Sequence, residues 1–357
     1  MKTAWNHYYY VVRKISSFTG MWPYLKPRTR IFRVVLLTMI VLTIFVPQIA
    51  YQYACKNLDC AFESMTSYLL SSIATLKVYT FQLNIRAMKN FTRHLLNDWT
   101  KLKTSEECEI VRSYAENSRR FSLIYSCKSS REDETHTVSR LLALDLLPKC
   151  VPVYCFSAVF LFMSMSLIPF VLDIVLPLNG SRPLLPPYPG YYFVDIRDYF
   201  TLIFSHSVVA WEVLMAGIVA HDCMFVCYVE HICSMFAIVG FRFEHLFPDK
   251  NNEVEIASCE SNDKCQKRVA FLIHTHREAL QSAKLLENIF TVPFAVQILM
   301  VTLGMSVTLL QIAKQNSDVL ESTRYLLYTI GQLIHLFFLS FEGQKLIDHS
   351  LQMRDRM

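Results

Sequence analysis

The feature that most constrains this chain is a series of apolar runs, each about 20 residues long and closed off by charge. A helix rises about 1.5 Å per residue, so a run of that length crosses the roughly 30 Å hydrocarbon layer of a bilayer. Six runs qualify, at about 31–53, 64–85, 150–176, 199–220, 289–313 and 323–341. The first is uncharged after Arg33, the third until Asp173, and the fifth throughout. The second carries Lys77, at a depth from which a long stem can lift its ammonium toward the inner surface. Composition agrees, since 53% of the 357 residues are hydrophobic against 18% charged, more apolar surface than one water-soluble core can use. The predicted fold is an all-α integral membrane protein with six transmembrane helices, a leading segment at 1–30 and a membrane domain at 31–357.

The stretch 223–241 is apolar enough to pass for another span. No turn residue separates Ala220 from Cys223, and a span there would place Glu230 and His231 at mid-bilayer depth. The fourth helix is therefore expected to run on beyond the membrane. Direction comes from Lys2, Arg13, Lys14, Lys26, Arg28, Arg30 and Arg33, which lead into the first span with no acidic residue among them and predict a cytosolic N-terminus. Alternation then puts 88–149 and 230–288 inside, and these hold Lys89, Arg93, Arg119, Arg120, Lys267 and Arg268. The loops assigned outside carry few cations: Lys56, Arg182, Arg197 and Lys314. A net charge of +5 is thus spread along one side of a membrane and forms no patch for nucleic acid. Of two glycosylation sequons, Asn179 falls outside and Asn90 inside, so Asn179 alone is a candidate for sugar.

The inner segments read as amphipathic helices. Val269, Leu272, His276, Ala279, Ala283, Leu286 and Phe290 recur in steps of three and four, one face of a helix running into the fifth span. Leu95, Trp99, Leu102, Ile110, Tyr114 and Phe121 do the same between 91 and 125, with a break and restart at Ser105 and Glu106. Such faces need partners, so the second, fourth and fifth helices are expected to extend into a cytosolic bundle, packed either within one subunit or between subunits.

Eleven cysteines in a chain of this length do not make a disulfide scaffold. Cys55 and Cys60 share a short outer loop, where a local disulfide or two free thiols would both fit. His221, Asp222, Cys223, Cys227, His231 and Cys233 crowd one stretch, yet their spacing lacks the tight ligand pairs of a structural zinc site, and His274 and His276 face different ways on a helix. No metal or other cofactor is implied. With no nucleophile elbow, phosphate loop or metalloprotease helix present, an enzyme is not expected. His206 and Glu212 in the fourth span are expensive in hydrocarbon, and such residues face a cavity or a partner helix.

Four stretches resemble the insect odorant receptor family: LLNDWTKLKTSEECEIVRSYAENSRRFSLIY from Leu95, VEHICSMFAIVGFRFEHL from Val229, HREALQSAKLLENIFTVPFAVQILMVTLGMSVTLLQ from His276, and FEGQKLIDHS from Phe341. They occur in the family's order and spacing. The family continues past the last into a seventh, pore-lining helix, whereas this sequence stops at Met357, so a chain lacking its share of the conduction path is one expectation. The resemblance implies a subunit that binds volatile odorants and joins a shared co-receptor in an odorant-gated, non-selective cation channel of the plasma membrane. It further implies a pocket in the outer half between the second, third, fourth and sixth spans. Helix direction places Tyr68, Ser72, Met163, Ser166, Phe170, Phe204, His206, Trp211, Glu212, Tyr325, Tyr328 and Thr329 there. Lining the pocket, packing on a neighbour and facing lipid stay open for each. A gustatory-type chemoreceptor is similar in topology; a G-protein-coupled receptor would reverse it, and a secondary transporter would show internal repeats that this sequence lacks.

Overall fold

The computed structural model describes residues 7–55, 57–102, 104–126, 154–176, 182, 186–245, 262–314 and 319–356. The regular elements among them are helices: α1 (Tyr10–Phe18), α2 (Pro27–Ala54), α3 (Leu58–Leu83), α4 (Ile85–Asp98), α5 (Ser105–Ser126), α6 (Tyr154–Ser164), α7 (Leu167–Val175), α8 (Phe200–Glu244), α9 (Asn262–Lys314) and α10 (Val319–Arg356). The end holding α1, α4 and α5 is termed basal, and the end holding the α2–α3 turn apical. Cys55 and Cys60 form a disulfide across that apical turn. Asn179 lies outside the described residues, as do 127–153, which take in the start of the third expected span.

α8 is the axis of the molecule. It runs unbroken for 45 residues, with no turn after Ala220, and every residue from Ala216 to Phe236 is buried. A helix that is apolar all round sits inside protein, and this one is flanked by α2, α3, α5, α6, α9 and α10. The apolarity of 223–241 therefore reflects enclosure by other helices. At about 1.5 Å per residue α8 is roughly 68 Å long, more than twice the hydrocarbon thickness.

Among the described residues, four helices are long and apolar enough to cross a membrane: Pro27–Ala54, Phe200–Glu244, Gln266–Lys314 and Val319–Arg354. A bent pair, Phe156–Ser164 with Leu167–Val175, makes a fifth if counted as one span. The 45° bend has a local cause. Pro169 has no N–H to offer the Met165 carbonyl and crowds it, so the backbone tightens there, with Ser166 N–H donating to Met163 O at 3.0 Å. The second expected span falls within α3, which is outside that group because serines, threonines and Lys77 dilute its apolarity. Ser64, Thr66, Ser67, Ser71 and Lys77 are nonetheless buried, turned toward the protein, and the Ser71 hydroxyl donates to the Ser67 carbonyl at 2.9 Å.

Beyond the apolar stretch, α3 breaks at Asn84 and resumes as α4, which buries Met88, Phe91, Thr92 and Leu95 along one stripe. α5 restarts at Ser105, where the Thr104 hydroxyl accepts from Glu107 N–H at 3.2 Å and Glu106 and Glu107 occupy the first turn, as a helix N-terminus favours. α9 is continuous from Asn262 through the fifth expected span and buries Leu272, Ala279, Leu286 and Phe290. The face of α5 turned inward differs from the expected one. Ile110, Tyr114 and Phe121 are half-buried, whereas Glu107, Val111, Ala115, Ser118 and Ser122 are buried, and the small side chains of Ala115, Ser118 and Ser122 let α5 lie close along α8.

Polar contacts tie the basal helices together. Arg242 meets Glu107 at 2.6 Å, His231 meets Asp98 at 3.1 Å, Lys101 meets Glu278 at 3.3 Å, and Lys345 pairs with Glu230. Burial alone would raise the Asp98 carboxyl, but hydrogen bonds and charge from His231 and Lys101 outweigh it and hold the group below its ordinary value. Gly20 folds α1 back onto this end. It adopts φ +78°, and a Cβ there would come within 2.9 Å of Val34 Cγ2 and 3.1 Å of Arg30 O.

Candidate functional site

The apical half of α8 opens onto a cluster of rings built by α6, α10 and the segment before α8. Trp211 is buried, and Tyr188 lies edge-on to it with centroids 5.8 Å apart. Tyr192 donates to the Tyr188 hydroxyl and lies 3.4 Å from Ser207 Oγ. Burial, reinforced by the neighbouring Tyr192, pushes the Tyr188 hydroxyl well above its ordinary range, so it stays neutral at any working pH. Met163 packs into the same core. α10 brings Arg324, whose guanidinium lies over the Phe162 ring at 5.2 Å and donates to the Pro187 carbonyl at 2.7 Å. Ser166, at the α6–α7 bend, is fully buried.

The expected site residues fall into neighbouring groups. Trp211 belongs to the cluster just described, while Met163 on α6 and Ser166 at the α6–α7 bend are buried. One turn along α10 from Arg324, Tyr328 donates to the Thr66 carbonyl of α3 at 3.4 Å, and Thr329 is buried with its hydroxyl on the Tyr325 carbonyl. Tyr68 on α3 is edge-on to Phe45 at 5.4 Å, and the Ser72 hydroxyl donates back to its own helix at the Tyr68 carbonyl. Phe170 and Phe204 flank Phe200, at 5.2 and 6.3 Å. His206 and Glu212 are not brought together. His206 contacts Thr43 Oγ1 of α2 at 2.8 Å, while Glu212 keeps a buried carboxylate oxygen with no hydrogen-bond partner.

Two features were not anticipated. The first is Arg324, which lies inside the sixth expected span at 323–341 and is given no role there. The second lies deeper, where Lys77 does not reach toward the inner surface as expected. It is 1% exposed and bonds Asp222 Oδ1 of α8 at 2.6 Å. Asp222 also meets His335 of α10 at 2.8 Å and His221 at 3.0 Å, so three helices share one buried charge centre. A carboxylate partner at the same depth removes the drive to snorkel. The available signal was two opposite charges, Lys77 and Asp222, in separate apolar runs. Among the described residues no group of three or more His, Cys, Asp or Glu side chains is arranged to hold a metal ion.

A cavity of about 270 Å³ lies at the basal end, lined by Tyr114, Phe236, Gly240, Phe241, His349 and Met353 among others. It is remote from the apical rings, and two of its polar side chains bond each other, Tyr114 with His349 at 2.8 Å. The apical cluster has the ring-walled, sparsely polar character of a small-molecule site.

A family model described as 7tm Odorant receptor matches residues 128–357. No curated protein matches the sequence. Among solved structures, the chain is similar to the insect olfactory receptor OR5 from Machilis hrabei in complex with eugenol, at 14% identity and a TM-score of 0.68, over 96% of this chain and 81% of that one. It is also similar to that receptor's structure described without a ligand, at 14% identity and a TM-score of 0.63, over 98% of this chain and 81% of that one. At this identity the likeness establishes the fold.

Proposed function

The chain belongs to the 7tm odorant receptor family, and on that premise we propose that it is an odorant receptor subunit of the plasma membrane with its N-terminus in the cytosol. In this reading a small volatile molecule binds in the apical cluster, and the subunit works with a shared co-receptor as an odorant-gated, non-selective cation channel. The observation that carries it is the burial of Trp211 of α8 against Tyr188, with Met163 buried on α6 and Arg324 of α10 lying over Phe162. Burying a volatile's apolar surface there contributes about 25 cal/mol per Å², and methionine accommodates differing shapes. Six spans, with α3 as the second, follow from turning its polar side chains into the protein. The Cys55–Cys60 disulfide suits an apical end facing the oxidising exterior, and the cations ahead of α2 suit a basal end facing the cytosol. The ligand would shift a closed-to-open equilibrium only by its differential affinity for the two states.

The test is co-expression with the co-receptor under voltage clamp and a panel of volatiles, eugenol included. An odorant-evoked cation current that requires both chains, and that Trp211→Ala diminishes, is expected. Silence across the panel with both chains at the surface would refute the reading. An epitope placed ahead of Trp5 should stain only permeabilised cells, and staining of intact cells would overturn the orientation.

A further inference from the structure

The basal corner where α1, the start of α2 and the α3–α4 junction meet carries positive charge that the protein does not neutralise. Arg13 and Lys14 of α1, Lys26 and Arg28 at the start of α2, and Arg86 and Lys89 of α4 are exposed. Among the described residues none of the six pairs with a carboxylate, and the sequence has no acidic residue from 1 to 58 or from 64 to 97. Other cations at the same end are answered, as Arg242 is by Glu107, Lys101 by Glu278 and Lys345 by Glu230.

Contacts make the corner one continuous surface. The Gly20 turn lies against Arg30, Arg33 and Val34 of α2, and Arg33 donates to the Ser17 carbonyl of α1. Gln82 at the end of α3 donates to the Gly20 carbonyl at 3.0 Å. Tyr24 donates to the Lys89 carbonyl at 3.5 Å, and the Lys89 ammonium lies over its ring at 5.6 Å.

Aromatic rings stand among these cations. α1 buries Tyr9, Val12 and Ser16 and turns Tyr10, Arg13, Lys14 and Phe18 outward, with Lys14 over the Tyr10 ring at 5.9 Å. Tyr10 is 57% exposed and Phe18 61%. Orienting the chain requires cations on the cytosolic side, but it does not require them interleaved with exposed rings. That combination belongs at a lipid–water boundary, where rings enter the acyl edge and cations stay with the headgroups. α2 sets the depth. It meets hydrocarbon at the exposed Ile31 and Phe32, and the turn that follows Phe18 packs against the same turn of α2.

We propose that this corner is a docking surface for anionic phospholipids of the cytosolic leaflet, with Phe18 and Tyr10 seated at the acyl edge and the six cations on the headgroups. It rests on the orientation given above and adds a lipid partner to it. A zwitterionic lipid brings its own ammonium to each phosphate, so it competes poorly, and attraction rises with headgroup charge from phosphatidylserine to a phosphoinositide.

The test places the full chain in phosphatidylcholine nanodiscs, with empty nanodiscs as the blank, and follows a fluorescent short-chain phosphatidylinositol bisphosphate by anisotropy. Phosphatidylserine should displace the probe and added phosphatidylcholine should not. Raising salt from about 0.1 M to about 1 M cuts the screening length from about 10 Å to about 3 Å and should remove most of the binding. Lys14→Gln/Arg28→Gln should weaken binding about 25-fold, at about fivefold for each cation beside an anionic surface. Arg112→Gln/Arg277→Gln removes the same charge from exposed positions on α5 and α9 and should shift it less than about twofold. All four residues are exposed, so melting temperatures should stay at the wild-type value. Equal weakening by the two double variants would reduce the effect to net charge and overturn the proposal. Equal competition by phosphatidylserine and phosphatidylcholine would overturn it as well, and so would full displacement by the free inositol trisphosphate headgroup, which marks a soluble-phosphate site. The epitope ahead of Trp5 tests the orientation separately: staining of intact cells would overturn the assignment to the cytosolic leaflet, with the nanodisc affinities unaffected.

Discussion

Separating Lys77 from Asp222 should destabilise the protein more than the ion pair itself is worth. At 2.6 Å and an effective dielectric constant of about 20, the Coulomb attraction is about 6 kcal/mol. Dehydrating two ions takes back several kcal/mol for each, so the net contribution is small. Removing one partner is different, since it leaves a buried charge uncompensated at a cost of about 3–5 kcal/mol. The two single changes should not be equal. Lys77→Met leaves Asp222 hydrogen-bonded to His335 at 2.8 Å and to His221 at 3.0 Å, so this variant belongs at the low end. Asp222→Asn removes the anion that both Lys77 and the two histidines address, so it belongs at the high end. The double variant Lys77→Met/Asp222→Asn should be more stable than the sum of the singles by about 2–3 kcal/mol. Denaturation in detergent, followed by tryptophan fluorescence, measures all four proteins. Additivity within about 0.5 kcal/mol, or a Lys77→Met protein as stable as wild type, would refute the pairing.

Ala115→Leu should cost about 1–3 kcal/mol by forcing α5 off α8, seen as faster hydrogen exchange across residues 105–126, whereas Ile110→Ala on the half-buried face should cost less. Reducing the Cys55–Cys60 disulfide should remove about 2 kcal/mol, the loop-entropy value for so short a ring, and a melting temperature indifferent to reductant would contradict it. Asp98 has a lowered folded-state pKa, so its contribution is present above the ordinary aspartate value near 3.9 and lost as pH falls through the folded value. Asp98→Asn should therefore flatten the wild type's loss of stability in that acid window, as read from melting temperature against pH.

Much of the helical plan was legible because it rests on period and punctuation. The absence of a turn after Ala220 marked α8 as one helix, the Ser105 restart is visible as a capping pattern, and the 269–290 stripe identified the buried side of α9. The inward face of α5 was not legible. Large apolar side chains drew attention to Ile110, Tyr114 and Phe121, yet close packing on α8 selects the small ones at Ala115, Ser118 and Ser122, and hydropathy gives those little weight. Of the candidate site residues, Trp211, Met163 and Ser166 are named from depth and helix direction and are buried, whereas the environment of Arg324 depends on Pro187, 137 residues away, and that of Lys77 on Asp222, 145 away. Charge within an apolar run does not name its partner, and only the fold shows that it is enclosed.

The unbroken course of α8 has a mechanical consequence. Trp211 and Arg242 are rooted in one rod, about 46 Å apart along its axis. Tilting that rod by about 3° around Trp211 would carry Arg242 about 2.4 Å sideways. That exceeds what a 2.6 Å contact with Glu107 can absorb without letting go. A disturbance too slight to rearrange the rings around Trp211 would thus reach the far end as a broken bond.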